Sequence, residues 1–110
     1  MLSRAKLGVD LAKQIEVCEA GAANGRMFQI IKPWILEGDD SGLHGPMRIA
    51  WKDMRYYNRL AESAPASTVI ASAVSQVYGL ANLLGHQDTF MPALPGILSE
   101  LAGVKIHDVK

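Results

Sequence analysis

Four basic side chains recur along one stretch of the chain at a spacing that could bind an anion. They are Arg48, Lys52, Arg55 and Arg59, which together form the basic row. Successive members lie three or four residues apart, so an α-helix would bring them onto one side. Lysine and arginine only donate hydrogen bonds, so such a row can hold phosphate or carboxylate oxygens. The alternative is a solvated helix face with Asp53 and Glu62 as local partners, and the spacing alone leaves both open.

The other reactive residue types do not assemble a self-contained active site. The single cysteine, Cys18, cannot form an internal disulfide and is expected to be a small buried hydrophobe. His44, His86 and His107 are far apart in the sequence, each in or beside a predicted loop. The sequence has no glycine-rich phosphate-binding motif, no paired zinc ligands and no serine beside a base. We therefore assign no catalytic residue and no metal ligand.

The charge balance argues against a nucleic-acid partner. The 110 residues carry 11 Lys and Arg and 11 Asp and Glu, for a net charge of zero, and 49% are hydrophobic. A neutral chain has no general attraction to nucleic acid or anionic lipid. No stretch reaches the roughly 18 apolar residues of a membrane span, and no signal-peptide run follows Met1. We expect one cytoplasmic domain, 1–110, without a membrane contact.

The elements that position these residues are predicted to be helices, because glycine and proline separate segments of helical period. We predict an all-α fold. The first helix is Leu11–Glu19, capped by Asp10, and the second is Arg26–Glu37, kinked at Pro33. A third helix starts at Pro46 and carries the four basic residues, and a fourth is Ala66–Leu84. A short last helix, capped by Asp88 or Thr89 and broken by Pro92 and Pro95, is followed by a turn over Gly96–Ala102.

Apolar periodicity predicts which faces are buried. In the third helix the core-facing residues are expected to be Met47, Ala50, Trp51, Met54 and Ala61. The fourth helix has a broad apolar stripe and a second strip of small residues, Ser72, Ser75 and Gly79, so we expect it to be buried on two sides. Gly85 should end it in the left-handed conformation.

Several short motifs together resemble a known family. Lys52-Asp53-Met54 is followed by Leu60-Ala61-Glu62, by Pro65 before a long helix, and then by Leu84-Gly85-His86 and Asp88-Thr89-Phe90. This order resembles the C-terminal helical domain of the β-hydroxyacid dehydrogenases, the family of 3-hydroxyisobutyrate dehydrogenase and tartronate semialdehyde reductase. Upstream, three further segments resemble the same family: Leu7–Asp10, Asn24–Arg26 and Leu36–Asp39. The likeness runs from about Leu7 to Leu101.

The resemblance implies a fold and a role within a larger enzyme. The fold would be a multi-helical bundle like the C-terminal domain of 6-phosphogluconate dehydrogenase. Such enzymes bind NAD or NADP on an N-terminal Rossmann domain, and the catalytic lysine follows on a long helix. Neither is in this chain, and Lys6 and Lys13 do not have the sequence context of that lysine. The isolated chain is therefore expected to be inactive, with that Rossmann domain as its partner and helix packing as the basis of a homo-oligomer.

The resemblance also transfers site residues. Lys52 matches the family lysine that reaches the nicotinamide side of the cofactor, and Asp53 matches an aspartate of structural role. Asn24, Gly25 and Arg26 match a segment near the substrate end of the cleft. Two positions depart from the family pattern, since Gly45 replaces an aromatic residue and Met54 replaces a leucine. The second change is a mild core substitution, whereas the first weakens the expected cofactor contact.

Three functions remain open from the sequence. The first is the C-terminal domain of an NAD(P)-dependent oxidoreductase for a small β-hydroxyacid or its semialdehyde, completing the cofactor and substrate cleft and the subunit interface. Imine reductases share this architecture, and the sequence does not distinguish them from the hydroxyacid dehydrogenases. The second is a free-standing helical dimerisation module without catalysis. The third, a nucleic-acid-binding helical domain, is disfavoured by the zero net charge.

Overall fold

The computed structural model describes residues 7–64 and 66–110. Met1–Lys6 and Pro65 lie outside the described residues, so the expectations for the N-terminus, for Lys6 and for the Pro65 break have no structural outcome. The all-α prediction is confirmed for the described chain, which has no strand and a single antiparallel bridge between Pro46 and Phe90. The helices are α1 Leu11–Glu19, α2 Arg26–Glu37, α3 Met47–Ser63, α4 Val69–Leu83, a 3₁₀ turn Met91–Ala93 and α5 Leu94–Leu101.

The chain forms two compact units, and the first comprises the described residues 7–44 and 92–110. Its core is the buried cluster Ile15, Trp34, Ile35 and Ala93. Partly buried apolar side chains pack around this cluster, and they are Leu11, Phe28, Ile31, Ile106 and Val109. The apolar periods of α1 and α2 therefore supply most of this core.

The first two helices begin and end where the sequence predicts. The Asp10 carboxylate accepts a hydrogen bond from the Ala12 N–H at 2.9 Å, which confirms the predicted cap of α1. α2 starts after Gly25 and ends at Gly38, which adopts φ +74°. The helix continues through Pro33, and the kink expected there stays a prediction. Cys18 is half-buried, with its Sγ 3.6 Å from the Gln14 side-chain amide, so full burial was not a correct expectation.

The last helix differs from the prediction. α5 begins at Leu94, with Ala93 in the cap position and Pro95 in the first turn. The predicted caps, Asp88 and Thr89, are wrong, and so is the predicted break at Pro95. A proline in the first turn loses no intrahelical hydrogen bond, because the N–H groups there have no partner within the helix.

The second compact unit comprises residues 45–91 and consists of α3 packed against α4. Met47, Ala50 and Ala61 are buried on α3 as predicted, while Trp51 and Met54 are half-buried. On α4 the buried residues are Ser75 and Ala81. Of the small-residue strip, Ser75 is buried and Gly79 lies against Trp51 of α3, whereas Ser72 is exposed.

The prediction for α4 is wrong in two respects. The helix starts at Val69 rather than Ala66, with Thr68 in the cap position; the Ala66 N–H donates to the Ala61 carbonyl of α3 at 2.9 Å. Only one side of α4 is covered within this unit, since Val69, Ile70 and Leu83 are 73%, 77% and 83% exposed. Gly85 does adopt φ +90° beyond the end of the helix, as predicted. No described helix combines the length and apolarity that crossing a membrane requires.

Candidate functional site

The start of α3 is fixed by the loop that carries residues 87–89. The N–H groups of Met47 and Arg48, which have no partner within the helix, donate to the carbonyls of Thr89 and Gln87 at 2.9 and 3.0 Å. The Met91 N–H donates to the Gly45 carbonyl at 2.8 Å on the same side. These bonds set the position of the first turn of α3 within its unit. The basic row follows from that turn onward.

Each member of the basic row lies near a carboxylate or an aromatic ring. Arg48 pairs with Asp88 at 3.0 Å, and the Lys52 ammonium lies 3.7 Å from Asp53. The Arg55 guanidinium lies 4.9 Å from the Trp51 ring centroid, and that of Arg59 lies 5.8 Å from the Tyr56 centroid. Among the residues that the structure describes, Arg55 and Arg59 have no carboxylate within ion-pair distance.

Lys52 keeps hydrogen-bond donors available. Its side chain is 48% exposed, and the nearest carboxylate oxygen, on Asp53, lies beyond normal hydrogen-bond distance at 3.7 Å. An ammonium carries three donors and no acceptor, so it can serve ribose or phosphate oxygens of a nucleotide. The cofactor contact that the resemblance implies for Lys52 stays a prediction. Asp53 is exposed as well, and its carboxylate lies 3.7 Å from the Lys52 ammonium.

A depression of about 610 Å³ adjoins the same stretch of α3. It is lined by Trp51, Ser75, Gln76, Gly79, Leu80, Asn82 and Leu83. Gly79 lies close to Trp51 at this depression, since a Cβ there would lie 3.2 Å from the Trp51 indole nitrogen. Lys52 is not among the lining residues. The small residue at position 79 is visible in the sequence, but its place opposite Trp51 depends on how α3 and α4 pack.

The predicted substrate segment forms the entry of α2, in the first unit. The Asn24 side-chain amide donates to the Glu19 carbonyl at 3.2 Å and accepts from Gln29 at 2.8 Å. Gly25 takes the N-cap position in an extended conformation without a side-chain cap, and Arg26 is exposed at the first helical residue. Asn24 thus has a structural role in the turn, whereas Gly25 and Arg26 remain accessible.

A polar network that the sequence did not reveal joins α1 to α2. The Glu19 carboxylate accepts from the Lys32 ammonium and from the Gln29 amide, the latter at 3.3 Å. The hydrogen bond from Lys32, and then that from Gln29, lower the pKa of Glu19 below its ordinary value of 4.5. Glu19 and Lys32 lie 13 residues apart, so no local spacing rule predicts the pair.

His86 and His107 each lie near one polar group of the chain. His86 Nδ1 lies 3.2 Å from the Thr89 hydroxyl, and His107 Nε2 lies 2.9 Å from the Ile35 carbonyl. Over residues 7–64 and 66–110, no three His, Cys, Asp or Glu side chains are grouped closely enough to hold a metal ion. Of the candidate site residues, Lys52 lies in the second unit, and Asn24–Arg26 lie in the first.

Tyr56 is a residue that the motif search missed. Its ring contacts both Lys52 and Arg59, and it lies four residues after the lysine. That interval places the two side chains on neighbouring turns of a helix. An aromatic residue four positions beyond a candidate lysine is the feature of the sequence that could have identified it.

Comparisons with known proteins agree with the motif resemblance. A family model described as the NAD-binding region of NADP-dependent 3-hydroxyisobutyrate dehydrogenase matches residues 1–94. A glyoxylate/succinic semialdehyde reductase 2 from Arabidopsis thaliana, a chloroplastic protein by its name, is 34% identical over 83 residues. That match covers 76% of this chain and 23% of the reductase, so the chain spans about a quarter of its relative. The chain belongs to the NAD(P)-binding β-hydroxyacid dehydrogenase family.

Proposed function

We propose that this chain is the helical C-terminal part of an NAD(P)-dependent oxidoreductase that acts on a small β-hydroxyacid or the corresponding semialdehyde. Its partner is the Rossmann domain of the intact enzyme, and its role is to complete the cofactor and substrate cleft. The observation that carries the proposal is the family match over residues 1–94, in which Lys52 lies exposed on α3. The name of the Arabidopsis relative makes glyoxylate and succinic semialdehyde the first substrates to test.

Each candidate residue has a stated task in this proposal. The nicotinamide, when bound, supplies or accepts the hydride. Lys52 donates hydrogen bonds to cofactor oxygens and offsets their negative charge. Gly25 and Arg26 offer a backbone N–H and a guanidinium to the substrate carboxylate. Asn24 holds the turn that presents them, through its bonds to Glu19 and Gln29.

The proposal predicts a specific loss of cofactor binding. Titration of the chain with NADPH and NADH, followed by tryptophan fluorescence, should show weak saturable binding that Lys52→Ala weakens about tenfold, because a charge-assisted hydrogen bond is lost. Trp51, the neighbour of Lys52, is half-buried and can report the ligand, whereas Trp34 is buried in the core of the other unit.

Lys13→Ala is the matched control for this titration. Lys13 is also an exposed lysine whose ammonium lies 3.7 Å from a carboxylate, that of Glu16, but it lies on α1. Its removal should leave the affinity unchanged. Equal affinities for the original chain and Lys52→Ala, or no saturable response at all, would contradict the role of Lys52. NAD(P)H oxidation by this chain alone, with either aldehyde, would contradict the proposal that it is only one part of the enzyme.

The exposed side of α4 supports a subunit-interface role. Val69, Ile70 and Leu83 are large apolar residues that α3 leaves uncovered. Burying such side chains contributes about 1.5–3 kcal/mol each, so a second subunit is the partner we propose for this side. Light scattering should then show an oligomer, and Leu83→Lys should lower its mass to that of the monomer. A monomer at high protein concentration would contradict this part of the proposal.

A further inference from the structure

One ring on α3 contacts two cations. The Tyr56 centroid lies 5.8 Å from the Lys52 ammonium and 5.8 Å from the Arg59 guanidinium. The lysine is four residues before the tyrosine and the arginine three residues after it, so both cations lie one turn away along the helix. Both distances fall within the range in which an aromatic face attracts a cation.

The contact between Tyr56 and Lys52 bears on the cost of ordering the lysine side chain. A lysine on an exposed helix surface has four rotatable bonds, and ordering it for a ligand costs up to about 2 kcal/mol. The Asp53 carboxylate, at 3.7 Å, holds the ammonium only loosely. The Tyr56 ring is the second contact of the ammonium, and the same ring also faces the Arg59 guanidinium.

We propose that Tyr56 is the positioning residue for Lys52. Its ring orders the ammonium before a nucleotide arrives, and Arg59 steadies that ring from the following turn. This inference rests on the proposed contact between Lys52 and the cofactor. Tyr56 itself donates nothing to the ligand in this scheme, so the ring is required and the hydroxyl is dispensable.

The positioning can be measured without any ligand. An aromatic ring shifts the NMR signal of protons held over its face to higher field. The Lys52 ε-methylene signal should therefore lie upfield of the other lysines in the original chain and in Tyr56→Phe, and return to the ordinary position in Tyr56→Leu. Arg59→Gln should reduce the shift, and Arg55→Gln, which removes the neighbouring cation from the Trp51 ring, should leave it unchanged. An ordinary Lys52 signal in the original chain would overturn the proposal.

The functional consequence is tested by NADPH affinity in a double-mutant cycle. Tyr56→Phe should bind like the original chain, and Tyr56→Leu about two- to fivefold more weakly, as expected for an exposed cation–ring contact. In the Lys52→Ala background, Tyr56→Leu should have no further effect. The same weakening in both backgrounds would overturn the proposal, because Tyr56 would then act independently of the lysine.

The two proposals fail in distinguishable ways. If Lys52→Ala leaves NADPH binding unchanged while the ring still shifts the lysine signal, the cofactor role fails and the contact between ring and ammonium stands. If Lys52→Ala weakens binding but Tyr56→Leu does not, the cofactor role stands and Tyr56 is not its positioning residue.

Discussion

Gly96 shows how strongly one residue of the first unit is constrained. A Cβ at this position would lie 2.4 Å from Cη2 and 2.5 Å from Cζ2 of Trp34, and 2.7 Å from a methyl carbon of Val109. Real Cβ atoms do not approach other atoms so closely. Trp34 is 1% exposed, so its ring has little room to move away.

Gly96→Ala should destabilise the chain. Alanine is better than glycine within a helix by about 1 kcal/mol, but overpacking a core costs about 1–3 kcal/mol, and the clash here involves a rigid buried ring. The midpoint of urea unfolding should fall. Gly21→Ala is the control, because a Cβ there meets only carbonyl oxygens at 3.6 and 3.9 Å. Equal midpoints for Gly96→Ala and the original chain would contradict the packing described for Trp34.

Glu19 links stability to pH. Its pKa is lowered in the folded chain by the hydrogen bonds from Lys32 and Gln29. A lowered carboxyl pKa contributes stability that is present above the unfolded value of about 4.5 and is lost as the pH falls through the folded value. Glu19→Gln should therefore be less stable than the original chain at pH 7, and the difference should close below about pH 4.5.

Thermal unfolding between pH 7 and pH 3 measures this effect. Glu16→Gln is the matched control, because Glu16 is more exposed and its carboxylate lies 3.7 Å from the Lys13 ammonium. That variant should be about as stable as the original chain at pH 7. A difference for Glu19→Gln that does not depend on pH would show that the Glu19 carboxylate is not the group responsible.

At the scale of elements, the sequence predicted helices well where caps and periods agree. α1 and α2 have the predicted bounds, because Asp10 is a side-chain cap and Gly38 permits a left-handed end. Met47, Ala50 and Ala61 were correctly placed in the core from the helical period of α3. In these cases a local pattern and the final packing favour the same structure.

Two helix starts were misplaced. α4 has Thr68 and α5 has Ala93 in the cap position, and neither makes a side-chain cap hydrogen bond. The start of α2 lacks such a bond as well, but there Gly25 marks the boundary. Pro95 fits a first turn as readily as it would end a helix. Apolar periodicity also does not show whether a face is covered by the same chain, which is why the exposed side of α4 was predicted to be buried.

The end of α4 offers a clean test of backbone conformation. Gly85 adopts φ +90°, and an added Cβ would meet nothing within 4 Å. Gly85→Ala should therefore lower stability by about 1 kcal/mol through backbone strain alone. Gly85→Asn should lose less, because asparagine tolerates the left-handed region. Guanidinium unfolding of both variants measures the difference, and an alanine variant as stable as the original chain would contradict the conformation.

At the scale of the whole molecule, the family could be predicted from the sequence, but part of the candidate site could not. Short motifs from Leu7 to Leu101 identified the family, and the match over residues 1–94 supports the same conclusion. The candidate residues Lys52 and Arg26 were found by those motifs. Tyr56 and the Glu19–Lys32 pair were not, because their roles depend on side-chain directions and on the packing of α1 with α2.

In the proposed two-part enzyme, hydride transfer needs a dinucleotide fold and a proton donor, which the proposal assigns to the Rossmann domain and the helix after it. The contribution proposed for this chain is a cation for the cofactor and a turn for the substrate. Cytoplasmic localisation stays a prediction, and so does the absence of a nucleic-acid partner.

The most direct test of this account is an NMR titration of the ¹⁵N-labelled chain with NADPH. If Lys52 contacts the cofactor, backbone signals from Trp51 to Tyr56 should move most. Lys52→Ala should suppress these shifts, and Lys13→Ala should preserve them. Shifts confined to α1 or α5, or shifts along α3 that survive the loss of Lys52, would contradict the claim that this helix presents its lysine to the cofactor.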